Sequence, residues 1–306
     1  MHQKLKLRHF YILLITYLSG YLLATNYYVA TSYGNDSNNG TSLNTPFKTI
    51  AKAASVMSSG DKCHIRQGRY HEAITIDDLD GSSGSAIVFT NYNNERVVMD
   101  GTIPITSSWV QVGTSNIWRT KLSADIWQLF IDWEEQVMAR WPNAKFNDNT
   151  IWDNDNYWAK GTIDDDENAY SNGTIIDDPY TNSAGTAIDL NATGFDLDEA
   201  NKQAIAILNL GSFRTWSRLV SSHSGNTFTY ATVPNWKTKH HYYYLEGRRE
   251  FLDQAGEWWY DTYNNADSLY YYAENGVNPN KLEFRGKVQS YAFTITGSKY
   301  VQIKNL

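Results

Sequence analysis

Short runs of alternating apolar residues, each closed by glycine, asparagine or aspartate, set the tightest limit on what this chain can become. Cys63 and Ile65 alternate in "KCHIRQG", Ile87 and Phe89 in "SAIVFTNY", and Val97 and Met99 in "RVVMDG". Near the C-terminus, Phe293 and Ile295, then Val301 and Ile303, alternate on either side of the turn "GSK". A period of two puts apolar side chains on one face of a strand. Such strands at close, regular intervals predict a coiled or solenoid β-architecture.

One helix is expected among them. Thr45 before Pro46 has the character of an N-cap followed by proline at the first helical position. Ile50, Ala53, Ala54 and Met57 then recur with helical spacing until "SSGD". A solenoid needs a cap over its open end, and a lone helix before the first rungs suits that task.

Composition agrees. Of 306 residues, 22 are Tyr and 11 are Trp, and an aromatic fraction of 14% favours strands. A net charge of −7 argues against a nucleic-acid binder, which would need a basic stripe. The N-terminus carries Lys4, Lys6 and Arg8 ahead of the apolar run Phe10 to Leu23, with Ala24 at a plausible cleavage position. Residues 1–24 therefore read as a secretory signal peptide. The alternative, an uncleaved membrane anchor, has an apolar run that is short for a span. The protein is expected to be secreted or periplasmic, with no membrane association after cleavage. Cys63 is the only cysteine, so no intramolecular disulfide forms, and it reads as a small buried hydrophobe.

The stretch "GNDSNNGTSLNTPFKTIAKAASVMSSGDKCHIRQGRYHE" resembles the N-terminal cap and opening coils of secreted right-handed parallel β-helix proteins of the pectate-lyase-like superfamily. The matching residues are Pro46, Phe47, Thr49, Ile50, Gly60, Asp61, Gly68, Tyr70 and Glu72. "QLFIDWEEQVMARWPN" resembles a recurring hairpin of exported β-helix glycosidases, through Ala139, Arg140, Trp141, Pro142 and Asn143. Trp133 stands where that group has glycine, which leaves the turn type open. "YYLEGRREFLDQAGEWWYD" (243–261) resembles the same group through residues that include Leu245, Glu246, Glu257, Trp258 and Asp261.

The resemblance implies an all-β fold. It begins as a right-handed parallel β-helix with a capping helix (25–102) and is interrupted by an inserted β-sandwich or barrel (103–245). The chain would then return to the coils (246–306), and the family's catalytic coils would lie beyond Leu306. It implies a glycoside hydrolase acting on plant or algal glycans. A polysaccharide lyase and a non-catalytic glycan-binding or adhesion protein are the alternatives. The partner would be a polysaccharide or oligosaccharide, and the full-length protein a monomer.

No catalytic pair is legible. Glu257 and Asp261, four residues apart on a strand, would stand roughly 13 Å apart. A glycosidase needs about 5–5.5 Å or 6.5–9.5 Å. Glu250 and Asp253 fare no better. The acidic runs 75–81, 152–158 and 162–170 read as solvated loops. Asp153 and Asp155 are the best candidates for calcium, the one metal such oxygen-rich loops would suit; no cofactor is expected otherwise. His240 and His241 point to opposite faces of a strand, and His64 and His71 read as structural. Arg66 and Arg69 lie at the cap end, an unpromising place for lyase chemistry. Arg140 and Trp141 are the expected substrate-binding residues, and Trp152 and Trp158 could also meet a sugar, because indole rings stack on sugar faces. The competing role for all these rings is to fill the core of the insert.

Overall fold

A computed structural model describes residues 24–162, 173–211, 214–233, 241–261 and 267–306. Residues 1–23 of the expected signal peptide, His240 and nearly all of the acidic run 162–170 lie outside these residues. The described chain is overwhelmingly β and divides into two compact units. One comprises the residues up to Asp100 together with Tyr291–Leu306; the other is Gly101–Ser290.

In the first unit, β1 (Asn26–Val29), β2 (Lys62–Ile65), β3 (Gly68–Tyr70), β4 (Ile74–Asp77), β5 (Ile87–Asn91) and β6 (Val97–Met99) form only parallel pairs. β1, β2 and β5 stack in register, and Val301–Lys304 adds to the far side of β5. Tyr27, Cys63, Phe89 and Ile303 thus fall in one row. β3 pairs with β6, and β4 pairs with Phe293–Thr296. The alternation read from sequence holds here, since Cys63, Ile65, Ile74, Ile76, Ile87 and Phe89 are all buried.

The helix α1 spans Ile50–Ala54, with Ile50, Ala53 and Met57 in the core. Its start differs from the expectation at Thr45. Thr49 is the N-cap and accepts from the Lys52 amide at 3.1 Å, while Thr45 donates to Asn39 in the preceding loop. The reason lies in two carboxylates. Asp36 fixes the Thr49 amide and hydroxyl at 2.9 Å each, and Glu72 accepts the Ile50 and Ala51 amides at 3.1 Å. Together they satisfy the orphan donors of the first turn and oppose its positive dipole end. Asp61, buried beneath the same segment, accepts the amides of Thr25 and Ser58.

The second unit is antiparallel. β7 (Thr102–Pro104), β8 (Val110–Gln111), β9 (Ile117–Lys121), β10 (Leu129–Ile131) and β11 (Glu134–Gln136) come first. β12 (Arg140–Trp141), β13 (Ala159–Thr162), β14 (Thr174–Asp177), the short hairpin β15 (Tyr180–Thr181) and β16 (Ala187–Ile188), β17 (Ile205–Asn209), β18 (Thr215–Ser224), β19 (Thr227–Tyr230) and β20 (Tyr242–Glu246) follow. β21 (Trp258–Asp261), β22 (Ser268–Tyr272) and β23 (Phe284–Lys287) complete it.

Pairings run β20–β13–β14–β19–β18–β17 and back to β20, which closes a six-stranded barrel. Closure leaves these strands without a free edge. Its interior holds Ile175, Leu208, Val220, Phe228, Tyr243 and Leu245. Here the Tyr243 hydroxyl donates to Asp177 at 2.5 Å. Two further sheets, β11-β10-β23-β7 and β21-β22-β9-β8, flank a second core of Trp109, Leu129, Trp258, Leu269 and Phe284. β21 separates the cores: Trp259 packs with the barrel and its neighbour Trp258 with the second core.

The boundary expected at 246 therefore moves. Residues 246–290 belong to this second unit, because β21, β22 and β23 pair antiparallel with one another's neighbours β9, β10 and β7. Parallel pairing between strands resumes at Phe293. The open turn type is also resolved. Asp132 and Trp133 both have positive φ, 49° and 73°, and join β10 to β11 as a two-residue hairpin of the I′ kind. Trp133 tolerates the left-handed conformation under the Arg285 guanidinium, 4.5 Å from its ring, while Asp132 accepts the Glu283 amide.

Candidate functional site

β12 and β20 position the most unusual side chains of the second unit. Their register pairs Trp141 with Leu245 and Arg140 with Glu246. Trp141 and Leu245 face the barrel core, so the alternation of a strand sends Arg140, Glu246 and Tyr244 the other way. There a cleft of about 240 Å³ opens, walled by Arg140, Tyr244 and Glu246 on one side and by Trp127, Glu135 and Trp258 on the other.

Arg140 is only 2% exposed. Its guanidinium donates to the Pro142 carbonyl at 2.9 Å and the Tyr157 carbonyl at 3.0 Å, and lies 3.7 Å from the centre of the Tyr244 ring. Trp158 packs edge-on against that ring at 4.7 Å. Burial lowers the Arg140 guanidinium to about 10 and raises the Tyr244 hydroxyl to about 12.

Glu246 has no hydrogen-bond donor among the described residues. Burial pushes its carboxyl up to about 7, against the pull of the Arg140 charge. Across the cleft, Glu135 is held by the Gln128 side-chain amide at 2.6 Å. The site thus places two carboxyl groups in different environments, one held by a donor and one desolvated.

The cleft runs on into a wider one of about 470 Å³, sharing Glu135, Gln136 and Phe146. Glu257 lies in its wall at 2% exposure and accepts the Asp253 and Gln254 amides through Oε2. Burial raises it to about 8, against the pull of those amides and of the Arg140 amide.

The structure distributes the sequence-derived candidates as follows. Arg140 lines the narrow cleft, whereas the Trp141 ring meets Tyr243 at 6.2 Å and Phe195 at 6.3 Å on the core side. Trp152 is 71% exposed, with its ring tilted 6.1 Å from that of Phe146. Asp153 caps α2 (Asn154–Tyr157), and Asp155 accepts the Tyr242 hydroxyl at 2.9 Å. Among the described residues no group of three or more His, Cys, Asp or Glu is placed to hold a metal. Glu250 pairs with Arg248 and Asp253 with Asn143. His64 bonds Asn26 and stacks on Tyr28, His71 bonds the Asp100 carbonyl, and Arg66 pairs with Glu95 at 2.8 Å. The sequence reading missed Glu135, Tyr244 and Trp127 as site residues, and gave Glu246 no role. The one local signal is that Tyr242, Tyr244 and Glu246 share a strand face.

Comparison with known proteins is uneven along the chain. Residues 32–76 match a family described as a protein of unknown function (DUF1565). The "Uncharacterized protein YwoF" of Bacillus subtilis (strain 168) is 38% identical over 76 residues, 25% of this chain and 16% of that protein. Among solved structures, a "Glycoside hydrolase" matches with a TM-score of 0.62 at 18% identity, covering 92% of this chain and 50% of the other. "The complex structure of XylC with xylose" matches with a TM-score of 0.43 at 16% identity, covering 91% and 34%. The chain thus spans about half the length of the solved glycoside hydrolase it matches, and shares its fold.

Proposed function

We propose that this chain is the N-terminal part of a secreted carbohydrate-active protein of the glycoside hydrolase class, acting on plant or algal glycans. The parallel unit forms the opening coils of a right-handed β-helix. The antiparallel unit contributes a saccharide-binding cleft. The observation that carries this reading is the cleft itself, whose lining brings two carboxyl groups, Glu246 and Glu135, together with the half-exposed Trp127. Sugars are held by that combination, with rings stacking on the apolar sugar faces and carboxyl groups meeting the hydroxyls. The fold shared with a glycoside hydrolase of twice the matched length supports the hydrolase class.

The test is calorimetric titration of the 306-residue chain with oligosaccharides from xylan, galactan and β-glucan. Saturable binding is expected, and Trp127→Ala is expected to weaken it at least tenfold. Absence of binding across the panel removes the reading. Hydrolase and lyase are separated on the longer protein: new reducing ends without ultraviolet absorbance from an unsaturated product indicate hydrolysis.

A further inference from the structure

We propose that Glu246 meets the saccharide as a neutral carboxylic acid, donating its proton in a hydrogen bond to a sugar oxygen, so that binding in the narrow cleft is proton-linked. This rests on the saccharide reading above and names the residue that governs affinity within it.

Glu246 is half-buried in the cleft wall, between two strands that give its carboxyl group no donor. On one side β12 sets Arg140 opposite it, but that guanidinium is committed to the Pro142 and Tyr157 carbonyls and to the Tyr244 ring. On the other side β17 sets Ile205 opposite it. Much of the remaining lining is apolar, with Val137, Met138, Ile151 and Trp258. A carboxylate is poorly solvated in such a place. A carboxylic acid both donates and accepts, which matches a sugar hydroxyl that does the same. Burial accordingly raises the group to about 7, against the pull of the Arg140 charge.

The ionisable groups around it come from several elements. β12 brings Arg140, and β20 itself brings Tyr244, whose hydroxyl burial raises to about 12. β11 brings Glu135, held by Gln128. The loop carrying Phe146 and Ile151 brings Lys145 and Asp148; Asp148 accepts the Thr150 hydroxyl at 2.6 Å, which holds it below the ordinary carboxylate range. The segment before β21 brings Glu257, which burial raises to about 8. Glu257 thus lies in the same range as Glu246 and is told apart from it by substitution.

The 306-residue chain is titrated with neutral oligosaccharides of xylan, galactan and β-glucan at pH 5.5, 7 and 8.5. Buffers of different ionisation enthalpy report proton uptake alongside affinity, and tryptophan fluorescence verifies that the chain is folded at each pH. The parent is expected to bind about thirtyfold more weakly at pH 8.5 than at pH 5.5, the factor by which the protonated fraction of a group at about 7 falls. It is also expected to take up about one proton per ligand at pH 8.5. Glu246→Gln keeps a donor and cannot ionise. It is expected to bind more weakly than the parent at pH 5.5, with the same affinity at pH 8.5 and no proton uptake. Glu246→Ala has no donor and is expected to bind at least tenfold more weakly than the parent at pH 5.5. A flat parent profile, or uptake that persists in Glu246→Gln and so belongs to Glu257, overturns the proton-linked role and leaves the saccharide reading standing. Failure of the parent to bind any of these probes at pH 5.5 overturns the saccharide reading itself.

Discussion

Replacing Glu246 with glutamine is expected to stabilise the second unit at pH 8 and to leave it nearly unchanged at pH 5. The argument begins with burial, which raises the Glu246 carboxyl from its ordinary value near 4.5 to about 7. A raised folded-state value means the native chain keeps a proton that the unfolded chain has released. Stability is therefore fully present below about pH 4.5 and is lost as pH rises through about 7. At about 1.4 kcal/mol per pH unit, the loss from Glu246 alone totals about 3 kcal/mol by pH 8. Glutamine has no charge to bury, so Glu246→Gln escapes that loss. Part is given back because its amide also lacks ready partners, which leaves an expected gain of about 2 kcal/mol. Glu257, raised to about 8, and Asp177, also raised by burial, act in the same direction. They contribute equally to both proteins and cancel in the comparison. The assay is urea unfolding followed by tryptophan fluorescence, which isolates this unit because all 11 tryptophans fall between residues 101 and 290. If the variant is no more stable than the parent at pH 8, or the parent is equally stable at pH 5 and pH 8, the desolvation argument for Glu246 is wrong.

At the β10–β11 turn, Trp133→Gly is expected to be about 1 kcal/mol more stable than Trp133→Ala, since both lose the Arg285 contact but only alanine pays for a positive φ; equal unfolding midpoints would refute this. Gly34→Ala should destabilise the first unit by about 2 kcal/mol, measured by circular dichroism, because a Cβ there overlaps the backbone carbonyl oxygens of Phe47 and Ala30, which no rotamer change relieves. Cys63, fully buried with its thiol pushed far up, should resist a thiol reagent in the native chain and react on unfolding; native-state labelling would contradict the packed row of Tyr27, Cys63 and Phe89.

What the sequence disclosed was local. The alternation in "KCHIRQG" and "SAIVFTNY" is a property of four or five residues, and it found the buried faces of β2 and β5 correctly. The helix around Ile50, Ala53 and Met57 was legible for the same reason. Its cap was not, because the groups that settle it, Asp36 and Glu72, lie 13 and 23 residues from Thr49, outside any helix-start pattern. The boundary at Ser290 was hidden likewise. "GEWWYD" has the period of any strand, and nothing in it says that Trp258 and Trp259 enter two different cores.

The site illustrates the limit most sharply, because its chemistry arises from pairing across a long loop of sequence. Arg140 and Glu246 are unremarkable apart, one in "ARWPN" and one in "YYLEG". The register of β12 on β20 sets them on one face beside the second core, where neither can be fully hydrated. Desolvation then acts oppositely on the two, lowering the base and raising the acid. Arg140 offsets its burial with two carbonyls and the Tyr244 ring, while Glu246 has no comparable donor. A half-buried acid desolvated in this way at the wall of a cleft is a candidate functional group. Glu246 faces the cleft and not the barrel interior, so the packing of the barrel makes no demand for a carboxyl group at this position.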